Sequence, residues 1–139
     1  MNSFVSRAGE KLQFALDKFE FNVAGLITAD FGSSTGGFVD CLLQNGAQKI
    51  YSVDTSYGEL AWTLRNNPKV KVLERTNAMH VKLPEKVDLI TIDTAWTKQI
   101  LTIPNALENL KNNGTIISLI KPHYEAPKNY LVKGKLKEE

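Results

Sequence analysis

The sequence predicts a doubly wound α/β domain with a mostly parallel sheet, and three observations carry that prediction. Short apolar runs alternate along the chain with stretches of helical spacing. The runs are rich in apolar residues, and Val87–Asp93 is too apolar to be half exposed, as expected of strands covered on both faces. Polar or small residues stand at their carboxyl ends, where such sheets bind ligands near the switch in strand order.

The elements follow in order. Leu12, Ala15, Leu16 and Phe19 recur at i, i+3, i+4 and i+7, so residues from about Ser6 to Glu20 read as an amphipathic helix. Leu26–Phe31 (LITADF) is the first strand, and Gly36–Asn45 resumes helical spacing through Phe38, Cys41 and Leu42 until Gly46 ends it. Lys49–Asp54 (KIYSVD) is the second strand, followed by a helix from about Gly58 to Asn66 stopped by Pro68. Val70–Glu74 (VKVLE) and Val87–Asp93 (VDLITID) are the third and fourth strands. A last helix runs through Ile103, Leu107 and Leu110; Pro104 starts or kinks it, and Gly114 closes it before the fifth strand, Thr115–Ile120 (TIISLI). The strands therefore end in Asp30-Phe31-Gly32, in Asp54, in Glu74 with Asn77 just beyond, in Asp93, and before Lys121.

Composition sets the outer limits. A chain of 139 residues, 42% hydrophobic and 23% charged, suits one folded, water-soluble domain and excludes a disordered one. No apolar run reaches the roughly 20 residues of a membrane span and no signal-peptide core opens the chain, so a cytoplasmic protein without a membrane partner is expected. The single cysteine, Cys41, rules out an internal disulfide and a cysteine zinc cage, and no metal site is expected. A net charge of +2 permits nucleic-acid binding without arguing for it. Lysines crowd the end of the chain at Lys128, Lys133, Lys135 and Lys137, while Arg7, Lys11 and Lys18 lie near its start. The domain is expected over 1–126. The tail 127–139 is read as a disordered charged terminus, with a phosphate-binding arm as the alternative.

The loop Asp30-Phe31-Gly32-Ser33-Ser34-Thr35-Gly36-Gly37-Phe38 joins the first strand to its helix. Its glycines allow a tight turn and let a ligand approach the backbone. Three ligand chemistries compete for it. A dinucleotide fingerprint needs a glycine where Ser34 stands. A hydrolase nucleophile elbow fits G-x-S-x-G, and Ser34, Asp93 and His123 follow its serine, acid, histidine order. Against it, only one helix precedes the loop and no HGGG-like oxyanion segment is present. An S-adenosylmethionine loop needs a glycine turn beside the ligand's amino-acid end and an acid for its ammonium, which Asp30 supplies. Asp54, at the next strand end, is placed for ribose hydroxyls. A purely structural account has both aspartates capping helices, which explains either alone better than the pair.

Ser6-Arg7-Ala8-Gly9-Glu10-Lys11-Leu12, DFGSSTGGFVDCLLQNGA, VDTSYGELAWTLR, ERTNA, VDLITID and IKPHYEA, in that order, resemble the haemolysin-A-like (TlyA) branch of the FtsJ-type ribosomal RNA 2'-O-methyltransferases. The resemblance runs from about Ser6 to Ala126. It implies a Rossmann-like fold and methyl transfer from S-adenosylmethionine to a ribose 2'-hydroxyl of ribosomal RNA by a tetrad of Lys, Asp, Lys and Glu. Matched motif by motif, the first lysine falls on Lys11, the aspartate on Asp93 and the second lysine on Lys121. The cofactor positions fall on Asp30, Gly32, Ser33, Ser34, Thr35, Gly36 and Gly37, on Asp54, and on Asn77 for the adenine. In that role Lys121 assists deprotonation while Lys11 and Asp93 orient the ribose. A lysine takes a proton only when neutral, a form that a neighbouring ammonium favours. Solvated surface is the plain alternative for Lys11.

The sequence departs from the branch in several places. Thr94-Ala95-Trp96 follows Asp93 where relatives carry valine, serine and phenylalanine, and His123 and Tyr124 replace glutamine and phenylalanine. The branch carries its fourth tetrad member and last strands beyond the lysine-proline segment; no residue up to Glu139 is matched to them, and Glu125 fits a different position. Nor is the small RNA-binding domain that precedes this fold in the branch matched. The expectation is therefore a short core, either an active methyltransferase or a cofactor-binding module without catalysis. A sheet short of its last strands exposes an edge, and a homodimer is expected there. Trp62 and Leu64 are expected to be packing residues, and His80 receives no role.

Overall fold

The computed structural model describes residues 3–93, 96–120 and 130–133. Lys121, His123 and the tail apart from 130–133 lie outside the described residues. Ten elements follow in sequence: α1 (Ala8–Lys18), β1 (Ile27–Phe31), α2 (Gly37–Gln44), β2 (Lys49–Val53), α3 (Trp62–Arg65), β3 (Val70–Leu73), β4 (Val87–Ile92), α4 (Trp96–Glu108), β5 (Leu110–Ile120) and β6 (Tyr130–Lys133).

The strands form one sheet in the order β3-β2-β1-β4-β5-β6. β1 to β5 are parallel, and β6 runs antiparallel to β5. The chain builds outward from β1 through β2 to β3, then crosses back to place β4 on the other side of β1. That reversal opens a crevice between the carboxyl ends of β1 and β4. β6 adds a strand inside the stretch that the sequence left as a lysine-rich tail, and it covers the edge of β5 that was expected to be open.

The apolar runs are explained by cover on both faces. On one face Leu12, Ala15 and Leu16 of α1, Phe38, Val39 and Leu42 of α2, and Leu64 of α3 pack over Ile50, Leu89 and Ile117. On the other, Ala106 of α4 with Val81 and Leu83 packs over Phe31, Val53, Ile90, Ile92 and Ile116. Neighbouring residues such as Leu89 and Ile90 thus serve opposite cores, as the two-residue period of a strand requires.

Three element boundaries differ from expectation. α3 is a single turn, Trp62–Arg65, because residues 54–61 are spent on loop hydrogen bonds described below. α4 contains Pro104 rather than starting at it, and it ends at Glu108, not at Gly114. Asn109 stops it: its N–H donates to the Ala106 carbonyl at 3.0 Å, while its own carbonyl accepts the Val87 N–H at 3.0 Å and opens the β4–β5 ladder. Gly114 therefore lies inside β5, where the register jumps from Val87↔Leu110 to Leu89↔Thr115. A Cβ there would meet Leu110 Cδ1 at 2.7 Å and the Asp88 carbonyl at 3.1 Å, so the bulge needs glycine. Among the described residues no helix is long and apolar enough to cross a membrane.

Candidate active site

The crevice at the strand-order reversal is a cleft of about 500 Å³, within the range of small-molecule sites. The glycine loop lines it with Gly32, Ser33, Ser34, Thr35 and Gly37, β1 and the end of β4 contribute Asp30 and Asp93, and Ser6, Ala8 and Phe38 close it. Of these the sequence reading missed Ser6, Ala8 and Phe38. Gly37 was the available signal, since α1 has to pass close to it.

The loop's backbone is held tightly. The Gly32 and Ser33 N–H groups both donate to the Val53 carbonyl, at 2.8 and 3.1 Å, and the Gly36 N–H donates to the Ser33 carbonyl at 2.9 Å. Gly32, Ser34 and Gly36 all have positive φ, at 91, 53 and 107°. Ser34 accepts that conformation because its N–H donates to Asp54 Oδ1 at 3.2 Å. Gly36 and Gly37 also serve packing. A Cβ at Gly36 would run into Leu64 Cδ1, and one at Gly37 into Ser6 Oγ and, at 2.8 Å, the Gly9 backbone nitrogen. Their small size lets α1 and α3 press against the loop.

Asp30 is 1% exposed. Burial pushes its carboxyl up to about 7; the Thr91 hydroxyl, donating at 2.8 Å, and Ser33 pull the other way, while the carboxylates of Asp93 and Asp54 add to the rise. Asp93 stands half-buried at the end of β4, its N–H reaching the Phe31 carbonyl at 3.5 Å. Two acids from adjacent strands therefore meet in one cleft beside a loop of small residues. A buried carboxyl held near neutrality favours an arriving cation, whose charge cancels the desolvation that raised it.

The remaining expected positions lie further out. Asp54 uses both oxygens within the protein, one on the Ser34 N–H and the other on the Ser56 N–H at 3.1 Å and the Ser56 hydroxyl. It ties the first loop to the second, and its further lone pairs remain for a ligand. Asn77 is exposed, and its Oδ1 accepts the Met79 N–H at 2.8 Å; it does not line the cleft. Lys11 is also exposed, one helical turn beyond Ala8, and outside the cleft lining. Lys121 falls outside the described residues, as does His123. The Ser34 hydroxyl donates to Glu59 Oε1 at 3.4 Å. Leu64 packs in the core as expected, whereas Trp62 does not: it is 73% exposed. Its one-turn helix presents Leu64 inward, and Trp62 is left on the outer side.

The fold, the crevice and its acids can be set against known proteins. The FtsJ-like methyltransferase family matches residues 4–136. The chain belongs to that family. It is 40% identical over 136 residues to the 16S/23S rRNA (cytidine-2'-O)-methyltransferase TlyA of Mycobacterium tuberculosis, covering 95% of this chain and 50% of that protein. It is 37% identical to the 23S rRNA (cytidine-2'-O)-methyltransferase TlyA of Campylobacter jejuni, over 98% of this chain and 54% of that one. A solved Streptococcus thermophilus structure named after the hemolysins superposes with a TM-score of 0.84 at 35% identity, over 92% of this chain and 48% of that one. The chain thus spans about half the length of the curated relatives it matches. FtsJ-like membership removes the ground for a serine hydrolase, in agreement with the position of Ser34.

Proposed function

We propose that the chain is the cofactor-binding and catalytic core of an S-adenosylmethionine-dependent methyltransferase acting on a ribose 2'-hydroxyl of ribosomal RNA, in the cytoplasm. The observation that carries the reading is Asp30: a buried carboxyl held near pH 7, facing a cleft of ligand size at the switch point of the sheet. It suits the ammonium of an amino-acid moiety. When bound, S-adenosylmethionine supplies an electrophilic methyl group on a sulfonium. In this reading the chain of Gly32, Ser33, Ser34, Thr35, Gly36 and Gly37 forms the wall against the methionine part. Asp54 accepts hydrogen bonds from the cofactor's ribose, and Asn77 borders its adenine.

A ribose hydroxyl is a weak nucleophile at neutral pH, so the site has to orient it and take its proton. Lys121 Nζ, when neutral, receives that proton; Asp93 at the cleft and Lys11 on α1 hold the ribose. Lys11 reaches the site by extending its flexible stem past Ala8. The reading includes association of two copies through the outer edge at β6, which sedimentation at rising protein concentration tests.

Calorimetric titration of S-adenosylmethionine tests the shared claim, and methyl incorporation into ribosomal RNA tests catalysis. Incorporation is expected, and it should drop by about a hundredfold or more in Asp93→Ala and in Lys121→Ala. Cofactor binding without incorporation would mean a binding module that lacks catalysis. No binding at all would reject both.

A further inference from the structure

Three exposed side chains lie outside the cleft lining: Tyr57 and Arg75 on the loops that follow β2 and β3, and Trp62 at the start of α3. Tyr57 is 68% exposed and Trp62 is 73% exposed. The guanidinium of Arg75 lies 4.5 Å from the centre of the Tyr57 ring. One ring face is therefore covered by a cation, and the exposure leaves the other open.

The loops that carry them are fixed to each other and to the cleft. Arg75 has a φ of 51°, unusual for a non-glycine residue, and its N–H donates to the Ser56 carbonyl at 3.1 Å. The Thr76 N–H donates to the Asp54 carbonyl at 2.9 Å, and the Gly58 N–H to Glu74 Oε2 at 2.9 Å. Glu74 is also paired with Arg65, which neutralises the nearest acid; that pairing and the Gly58 N–H hold its carboxyl below the ordinary value. On the cleft side, the Ala61 N–H donates to the Thr35 carbonyl at 3.0 Å. The segment carrying Trp62 is thus tied to the glycine loop, and the one carrying Tyr57 to the loop after β3. Neither exposed ring contributes to either core, and burying so much aromatic area in a partner is the physical use left for them.

We propose that Tyr57, Arg75 and Trp62 form a stacking platform for unpaired bases of the RNA substrate, so that the enzyme takes its target from a single-stranded or opened region. The inference rests on the RNA-methyltransferase reading and adds to it where the bases flanking the target are held. Aromatic faces and arginine planes bind splayed-out bases irrespective of sequence, whereas duplex RNA keeps its bases stacked and out of reach. Arg75 adds a charge for the adjoining phosphate.

The test uses a short unstructured oligoribonucleotide and the same strand annealed to its complement, with binding followed by anisotropy. The single strand is expected to bind more tightly, and to quench Trp62 fluorescence in a Trp96→Phe background. Tyr57→Ala and Trp62→Ala should each weaken it about tenfold, Tyr57→Phe should restore it, and Arg75→Ala should lower the salt slope by about one. Affinity for S-adenosylmethionine should not change in any of them. Equal binding by the variants, preference for the duplex, absence of quenching, or no RNA affinity at all would overturn the platform. A loss of cofactor affinity with RNA binding intact would also overturn it, assigning the rings to the cofactor pocket. Cofactor titration and methyl incorporation by the unsubstituted chain report on the underlying reading separately.

Discussion

Asp30 couples the stability of the fold to its use. Its folded value of about 7 lies above the ordinary 3.8, so between those limits the folded chain holds a proton that the unfolded chain has lost. Its contribution to stability is therefore greatest at low pH, declines as pH rises from about 4 to about 7, and is flat above, at about 1.4 kcal/mol per pH unit within the window. Asp30→Asn, which cannot ionise, should unfold at a higher temperature than the unsubstituted chain at about pH 8 and show little difference at about pH 4. The same ionisation governs ligand binding. Affinity for S-adenosylmethionine should rise up to tenfold per unit from about pH 5 to about pH 7 and then level, and the Asn variant should lose both affinity and that slope. A calorimetric series over pH checks both. Cys41 is shifted in the same direction: burial and the nearby Asp40 and Asp17 push its thiol up to about 12, so it should resist alkylation in the folded chain and react on unfolding. The acids at strand ends were legible in the sequence because parallel sheets put function there. The burial of Asp30 was not, since it depends on segments such as β4, whose Thr91 donates to it from 61 residues away in the chain.

At the scale of elements, the glycine loop is a junction between helices. Gly37→Ala would drive a Cβ toward the Gly9 nitrogen, a backbone atom that cannot swing aside, and about 2 kcal/mol of destabilisation is expected in urea unfolding. Cofactor affinity should fall with it, because Ala8 of α1 and Ser6 in the segment leading into it form part of the cleft wall. Asn109 holds another junction. Its Oδ1 accepts the Leu83 N–H at 2.8 Å, and its Nδ2 donates to the Val81 and Asn105 carbonyls at 3.1 and 2.9 Å. Asn109→Ala strands buried backbone groups and should cost about 3 kcal/mol. These cases explain where the boundaries departed from the sequence pattern. Strands β1 to β4 matched to within a residue at either end, because a buried run is bounded by polar residues on its own sequence. The end of α4 did not, because a single asparagine with three distant partners outweighs the apolar spacing that continues to Leu110. α3 shrank for the same reason, its forward half being drawn into hydrogen bonds with the loops beside it.

Over the whole molecule, one sheet divides two cores, and β2, β3, β4 and β5 contribute to both. Leu42→Ala on one face and Ile90→Ala on the other should each cost about 2–5 kcal/mol and move the same unfolding transition, seen together by far-UV and near-UV dichroism. Two separate transitions would show that the faces are independent. The two aspartates of the cleft are 63 residues apart in the chain, Asp30 and Asp93, and meet only because β4 returns beside β1. By itself the sequence determined the α/β class, the strands β1 to β4 and the glycine loop, since hydrophobic period and turn chemistry are local properties of neighbouring residues. Tertiary structure alone decided which glycines serve packing, which acid is desolvated, and that Trp62 faces outward. Those outcomes depend on what a distant segment places against each residue, and burial and electrostatic cost are set by that neighbour rather than by the residue type.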